Sequence, residues 1–359
     1  MEQCKGLIAG IDIGYSKIQA SVYSYNSRNV QTVKLTEDSK EKTSLSNVVA
    51  ECMRATGTSQ IQSICVTIPD YHSDEISAVR DTLKKCGVSD GRWQVLSRVE
   101  SFAYYAYSQK KELYQNGTVL MDYNASGIDV YRLYCNKIGD MQYILQEHTL
   151  SQPEGSTIEK ASHSVTLYMT EYFKKHRASS VYLTGMGFDV DRLPDEFTKV
   201  LVAGRKAFVG QNLYVRGACF AALEYISPQV FGNVCLLTDG RIKADIETDI
   251  SEHGRPMKFR IVKMGTNWYM AERTIDFIIE DVSVINFQII WPDGKYIEKQ
   301  VDISSIPYRE GKTTRISMNV KASSQDKCIV TVKDLGFGEI YQASDSVIVE
   351  ELDLSEADV

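Results

Sequence analysis

The sequence has no surplus of positive charge: 40 Lys+Arg stand against 47 Asp+Glu, a formal charge of −7. That leaves nothing to neutralise a phosphate backbone and excludes nucleic acid as an expected partner. No uninterrupted apolar stretch reaches the roughly 18–20 residues of a membrane span. The polar Met1-Glu2-Gln3 runs straight into a strand pattern, without the basic start, apolar core and small-residue cleavage site of a secretory leader. The eight cysteines form no C-x-x-C pair. Several sit inside apolar runs, as Cys65 does in Ser63-Ile64-Cys65-Val66, and read as small hydrophobes in a reducing compartment. A cytoplasmic protein with no membrane partner is expected. The five histidines give no H-E-x-x-H pairing. No cysteine has a flanking histidine to make it a nucleophile, and G-x-S-x-G is absent.

What is present is a globular chain of 359 residues, 43% hydrophobic, long enough for about two or three domains. Two segments share one plan of apolar strand, short turn and returning strand. Leu7 to Gly14 leads through Tyr15-Ser16-Lys17 into Ile18 to Tyr23, and Thr118 to Asp122 leads through Asn124 to Gly127 into Ile128 to Tyr134. β-Branched content and period-two alternation predict strands in both, a weak internal repeat. Helical spacing follows over 44–56, 74–86 and 156–176, the second opening on acidic residues and the third closing on basic ones. Strands are predicted at Ile61 to Ile68 and Ser180 to Thr184. Strands flanked by helices in both halves predict two α/β units. From about residue 240 short alternating runs recur without helical period, which predicts an all-β domain. The acidic end, 350–359, reads as a mobile tail.

The two strand-turn-strand repeats, each with an aspartate ending its first strand, resemble the phosphate loops of the actin-like ATPase superfamily. Within it the 70-kDa heat-shock chaperone family is most similar. "GIDIGYSK" resembles the first phosphate loop, "VLMDYNASGIDVYRL" the second and "VYLTGMGF" the adenosine loop. "CVTIPDYHSDEISAVRDTLKKCGV" with "QVLSRVESFAYYAY", and "VRGACFAAL", resemble the intervening and following helical segments. "NVCLLTDGRIKADIET" is similar to the apolar linker and first strand of the chaperone substrate domain. The resemblance implies a two-lobe actin-like (ribonuclease-H-like) α/β core followed by an all-β sandwich resembling the chaperone substrate-binding domain. The implied boundaries are 1–110 and 111–232 for the two lobes, 233–245 for a linker, 246–349 for the sandwich and 350–359 for the tail.

Against that family the chain is short. Between the first loop and Val66-Thr67-Ile68-Pro69 there is room only for a strand or two and one helix. The helix ending Tyr172 to His176 runs almost directly into the adenosine-loop strand. Both upper subdomains and the helical lid are expected to be missing, leaving a nucleotide far short of the roughly 70% burial of a proper small-molecule site. The loops agree, because a phosphate cradle needs bare backbone N–H groups, which favours glycine. Asn124-Ala125-Ser126-Gly127 stands where the family has three glycines and a threonine, and Met186 replaces a glycine of the adenosine loop.

By resemblance, Asp12, Gly14, Tyr15, Ser16, Lys17, Gly127, Gly185 and Gly187 are the candidate nucleotide-binding positions. Asp12 and Asp122 are the candidate Mg2+ organisers acting through water, and Glu100 and Asp122 would be catalytic if the chain is an ATPase. The structural alternative is that these carboxylates cap turns by accepting backbone N–H groups. Glu247, Asp249, Glu252 and His253 suggest a metal only weakly and read as a strand edge and turn. The aromatics of 101–107 read as a core-facing helix, and Asp293-Gly294-Lys295 as a hairpin turn.

Three functions follow as expectations. The first is a non-catalytic chaperone-like or scaffold protein, needing no cofactor, whose β-sandwich binds a protein or extended peptide along Phe259 to Trp268 and Asp276 to Asn286. The second is a minimal ATPase or nucleotide-gated switch using ATP/ADP with Mg2+. The third is a structural subunit completed by a partner chain.

Overall fold

The computed structural model describes residues 6–14, 17–35, 44–151 and 157–355. Tyr15 and Ser16 of the first loop, Cys4, and the last part of the expected tail, 356–359, lie outside the described residues. The chain divides into two compact units, one of Met1–Lys137 with Ile144–Val234, the other of Ile138–Tyr143 with Cys235–Val359.

The first unit contains the repeat that the sequence shows. Its first half runs β1 (Leu7–Ile13), β2 (Ile18–Ser24), β3 (Asn29–Val33), α1 (Leu45–Thr56), β4 (Ile61–Thr67), α2 (Ser73–Lys85), β5 (Trp93–Leu96) and α3 (Arg98–Tyr107). Its second half runs β6 (Thr118–Asn124), β7 (Gly127–Ile138), β8 (Met141–Ser151), α4 (Ile158–Lys175), β9 (Ser180–Gly185), α5 (Asp195–Val202), β10 (Lys206–Val209) and α6 (Leu213–Ile226). The first sheet has the order β3-β2-β1-β4-β5, and in the second β8-β7-β6-β9-β10 are neighbours in that order. In each, the first strand pairs antiparallel with the second and parallel with the fourth. Identical order and identical strand direction in two consecutive halves make this an actin-like, two-lobe α/β core.

Local sequence explains the elements. β1 and β6 are continuous apolar runs that lie centrally in their sheets and are buried along almost their whole length. Ser44 and Ser97 cap α1 and α3 by accepting the N–H of Asn47 and Glu100. α3 buries Phe102, Ala103, Tyr104, Ala106 and Tyr107, as its aromatic spacing predicts. α3 and α6 cross closely because Gly217 has no side chain: a Cβ there would meet the Ser101 carbonyl oxygen at 1.8 Å. That crossing brings the N-termini of both helices toward the C-terminal ends of β1 and β6, where the candidate site lies.

β11 (Val234–Leu237) leads into the second unit, which is all β apart from a short turn of 3-10 helix. β12 (Asp245–Glu252), β13 (Arg255–Val262), β15 (Val284–Ile290) and β16 (Tyr296–Asp302) form one four-stranded sheet in the order β13-β12-β15-β16. β14 (Glu272–Ile279), β17 (Thr314–Ser324), β18 (Lys327–Asp334) and β19 (Val347–Asp353) form the other, in that order. The strand pairings in both are antiparallel. Ile246, Phe287, Ile289 and Val301 of the first sheet share one core with Met318, Val320, Val330, Val332 and Leu352 of the second. Burial of each such side chain stabilises the fold by about 1.5–3 kcal/mol.

The expected tail needs correction. Glu350 to Asp353 belong to β19, and Leu352 and Leu354 are buried. An edge strand tolerates charge on its open positions, so acidic composition here does not signal disorder. The acidic group at 247–253 is indeed strand and turn: Glu247 pairs with Arg260, Asp249 with Lys258, and His253 occupies a left-handed turn position. Among the described residues no helix is long and apolar enough to cross a membrane.

Candidate functional site

The site lies within the first unit, at the ends of β1 and β6. Asp12 on β1 and Asp122 on β6 are both buried, and both face an internal cation. Arg98, the first residue of α3, donates from Nη1 to Asp122 Oδ2 at 3.2 Å. Tyr214, in the first turn of α6, donates its hydroxyl to the same oxygen at 2.7 Å, and its ring lies 5.2 Å beneath the Arg98 guanidinium. Asp122 therefore carries two side-chain hydrogen bonds, one charge-assisted. Burial still raises its carboxyl above the usual range, opposed by Arg98 and Tyr214.

Asp12 is the more strained group. Burial pushes its carboxyl up to about 6; Arg98 and Lys17 oppose the shift and Asp122 adds to it. Its Oδ1 has no hydrogen-bond partner among the described residues. The native state thus holds a proton here that the unfolded chain releases near pH 4. Stability from this group is full below that pH and is lost as pH rises toward 6. Asp12→Asn is expected to melt higher than the parent at pH 7.5, by about 2 kcal/mol, and no higher at pH 4. Equal melting shifts at the two pH values would show that the buried charge is not the cause.

The loops make their hydrogen bonds within the chain itself. The Gly14 N–H donates to the Lys17 carbonyl at 2.9 Å, closing the first turn. Asn124 Oδ1 accepts the Ser126 N–H at 2.8 Å, while its Nδ2 donates to Asp129 Oδ2 at 2.6 Å. Asp129 in turn meets His148 Nε2 at 2.8 Å. Asn124 and Gly127 pair directly, so the second loop is a tight hairpin. In the adenosine-loop position the Gly185 N–H donates to Gln211 Oε1 and Gln211 Nε2 donates back to the Gly185 carbonyl, at 3.2 and 2.9 Å. Gly187 is glycine because the Tyr123 ring fills its side-chain space: a Cβ would meet that ring at 2.3 Å. Met186 between them is 87% exposed. Glu100 is fully enclosed.

The structure brings Asp12, Asp122 and Arg98 together and sets Gly14 beside Arg98, 3.8 Å from the place of its missing Cβ. Lys17 is exposed and acts on Asp12 through its charge. Gly127, Gly185 and Gly187 flank Asp122 through the β6 hairpin and the close packing of β9. Arg98, Gln211 and Tyr214 are absent from the sequence-derived set. Among the described residues, no three His, Cys, Asp or Glu side chains converge as metal ligands. The positive charge acting on these two carboxylates is the chain's own Arg98 guanidinium.

Sheet order defines a two-lobe actin-like α/β core. The chain belongs to the family described as "Family of unknown function (DUF5716) C-terminal", whose model matches residues 23–239. Residues 241–354 match a domain of unknown function, DUF8552. No curated protein matches. Similar solved structures include the inorganic polyphosphate/ATP-glucomannokinase from Arthrobacter sp. strain KM, at 12% identity and TM-score 0.41, covering 63% of this chain and 100% of that one. The ROK hexokinase from Thermus thermophilus is similar at 12% identity and TM-score 0.41 over 61% and 99%. The ethanolamine utilization protein EutJ from Carboxydothermus hydrogenoformans is similar at 14% identity and TM-score 0.38 over 62% and 91%. Likeness at this level carries no argument about activity, ligand or partner.

Proposed function

We propose that the chain is a non-catalytic, chaperone-like scaffold of the cytoplasm: an actin-like core independent of nucleotide, carrying a β-sandwich that binds a protein or an extended peptide. The observation that carries this reading is the Arg98 guanidinium, bonded to Asp122 and opposing the charge of Asp12, at the two aspartates on which a metal-nucleotide would depend. The closed hairpin at Asn124 to Gly127 and the Gln211 clamp on Gly185 support it, since both occupy backbone groups that a phosphate or ribose would need. For the β domain, the support is exposed apolar surface in the expected binding stretch, where Ile278 and Val282 are open to solvent.

One observation favours a second reading, a minimal Mg-ATP-binding switch. A buried carboxylate oxygen without a partner, Asp12 Oδ1, is a place that a hydrated cation or a ligand donor would satisfy. Thermal melting with and without millimolar Mg-ATP or Mg-ADP, together with phosphate release, separates the two. A ligand at about one hundred times its dissociation constant adds roughly 2.7 kcal/mol. The scaffold reading expects no shift and no phosphate; a saturable rise in Tm would favour the switch.

A further inference from the structure

β19 is the edge of its sheet: it pairs with β18 on one side, and among the described residues no strand or loop pairs with its other side. Its side chains alternate. Ile348 packs against the core and Leu352 is buried in it, while Val347 and Val349 point outward and are 54% and 60% exposed. Exposed β-branched residues on an unpaired edge are what natural sheets avoid when the edge is to stay free. Lysine and proline are absent from the strand, and the charges that guard this edge, Glu350, Glu351 and Asp353, are all acidic.

The approach to this edge is held rigidly. The loop between β18 and β19 is pinned by a buried ion pair in which Arg309 Nη1 and Nη2 donate to the two oxygens of Asp334 at 2.8 and 2.6 Å. The same carboxylate accepts the N–H groups of Gly336 and Ser344, and Arg309 also donates to the Gln342 carbonyl. From this pinned loop Ile340 projects at 72% exposure. An apolar tip and edge held by a buried network present a binding surface with little ordering cost.

Charge decides what fits. Between Leu335 and Ser355 there are five acidic residues, Glu339, Asp345, Glu350, Glu351 and Asp353, and no Lys, Arg or His; Lys327 of β18 pairs with Glu351 and acts on Asp353, one paired cation against the three acids of β19. Self-pairing of β19 would set these carboxylates against their own copies, which is unfavourable across strands. An extended segment that alternates apolar residues with Lys or Arg sets its cations on the face of Glu351 and Asp353, which also carries Val347 and Val349, and its apolar residues on the face of Ile348 and Leu352.

We infer that β19 is a strand-addition site for an extended basic–apolar segment of a partner protein, which continues the sheet beyond its edge. This rests on the reading of the β domain as the protein-binding module and moves the contact away from Phe259 to Trp268 and Asp276 to Asn286. The test uses the full chain and two short fluorescent peptides, one alternating lysine with valine and one alternating glutamate with valine. The lysine peptide should bind saturably, weaken as salt rises, and protect the amides of β19 from hydrogen exchange. Val349→Lys and Glu350→Lys, both at exposed positions, should each weaken it about tenfold with Tm unchanged. Equal binding of the glutamate peptide, or unchanged affinity in both variants, overturns the inference. Protection at β13 or β14 in place of β19 overturns it and leaves the β domain as the binding module; absence of binding overturns both. A dimer forming through β19 at rising protein concentration would replace the partner with a second copy and also overturn it.

Discussion

Arg98→Ala is expected to lower the stability of the first unit by about 3–5 kcal/mol, the range for removing one partner of a buried ion pair. The loss has three parts. Asp122 keeps only the Tyr214 hydroxyl as a side-chain donor, Asp12 loses the largest charge opposing its desolvation, and Tyr214 loses the cation over its ring. Both carboxylates are already pushed toward protonation by burial. The penalty should therefore shrink as pH falls below about 6, where protonation removes the uncompensated charge. A second readout separates this from general damage. With the guanidinium gone, two buried carboxylates face one another, and millimolar Mg2+ should raise the Tm of the variant while leaving the parent unchanged. A variant that melts like the parent, or gains nothing from acid, would show that Arg98 is not the counter-ion of this site.

The second large effect belongs to the β domain. Asp334→Ala should destabilise it by about 3–5 kcal/mol, a fall in Tm of roughly 10 °C or more. The Asp334 side chain is 0% exposed and Arg309 is 6% exposed, so deletion leaves a buried guanidinium without its carboxylate. It also strips the acceptor from Gly336 and Ser344. Arg309 holds the Asp334 carboxyl well below the usual carboxylate range, with the two backbone N–H groups adding to the effect. Because the folded value is depressed, this stabilisation is complete above about pH 4 and is lost only as pH falls further below the unfolded value. Trp268 and Trp291 lie in this unit and Trp93 in the other, so fluorescence in a Trp93→Phe background reports its melting. Loss of the acid-dependent part of the transition in Asp334→Ala would confirm the assignment; an unchanged acid midpoint would reject it.

Much of the architecture is legible in the sequence because it is written in local periods. The two apolar runs ending in Asp12 and Asp122, the helical spacing of α1, α2 and α4, and the alternation after residue 240 each need only a short window. The loss of glycine from Asn124 to Gly127 is equally local, and the hairpin it predicts is present. The Arg98–Asp122–Tyr214 contact is not local. Arg98 lies 24 residues from Asp122 and Tyr214 lies 92 residues from it. They meet only because α3 and α6 cross at Gly217 and direct their N-termini at the same strand ends. A cue existed in Arg98 itself, a basic residue in the first turn of a helix, where the helix dipole disfavours positive charge unless an acid compensates. β19 was hidden for another reason. Glu350, Glu351 and Asp353 dominate its composition, while its signal lies in the alternation of Ile348, Leu352 and Leu354 with the outward residues.

Under the proposed scaffold function, the Arg98–Asp122 pair and the Gln211 clamp on Gly185 stand in place of metal and nucleotide contacts, and the chain takes no nucleotide. Equilibrium dialysis of the full chain against labelled ATP with millimolar Mg2+, repeated with Arg98→Ala, tests it most directly. No saturable binding to the parent chain is expected. Stoichiometric, Mg-dependent binding to the parent that is lost in Asp12→Asn would contradict it.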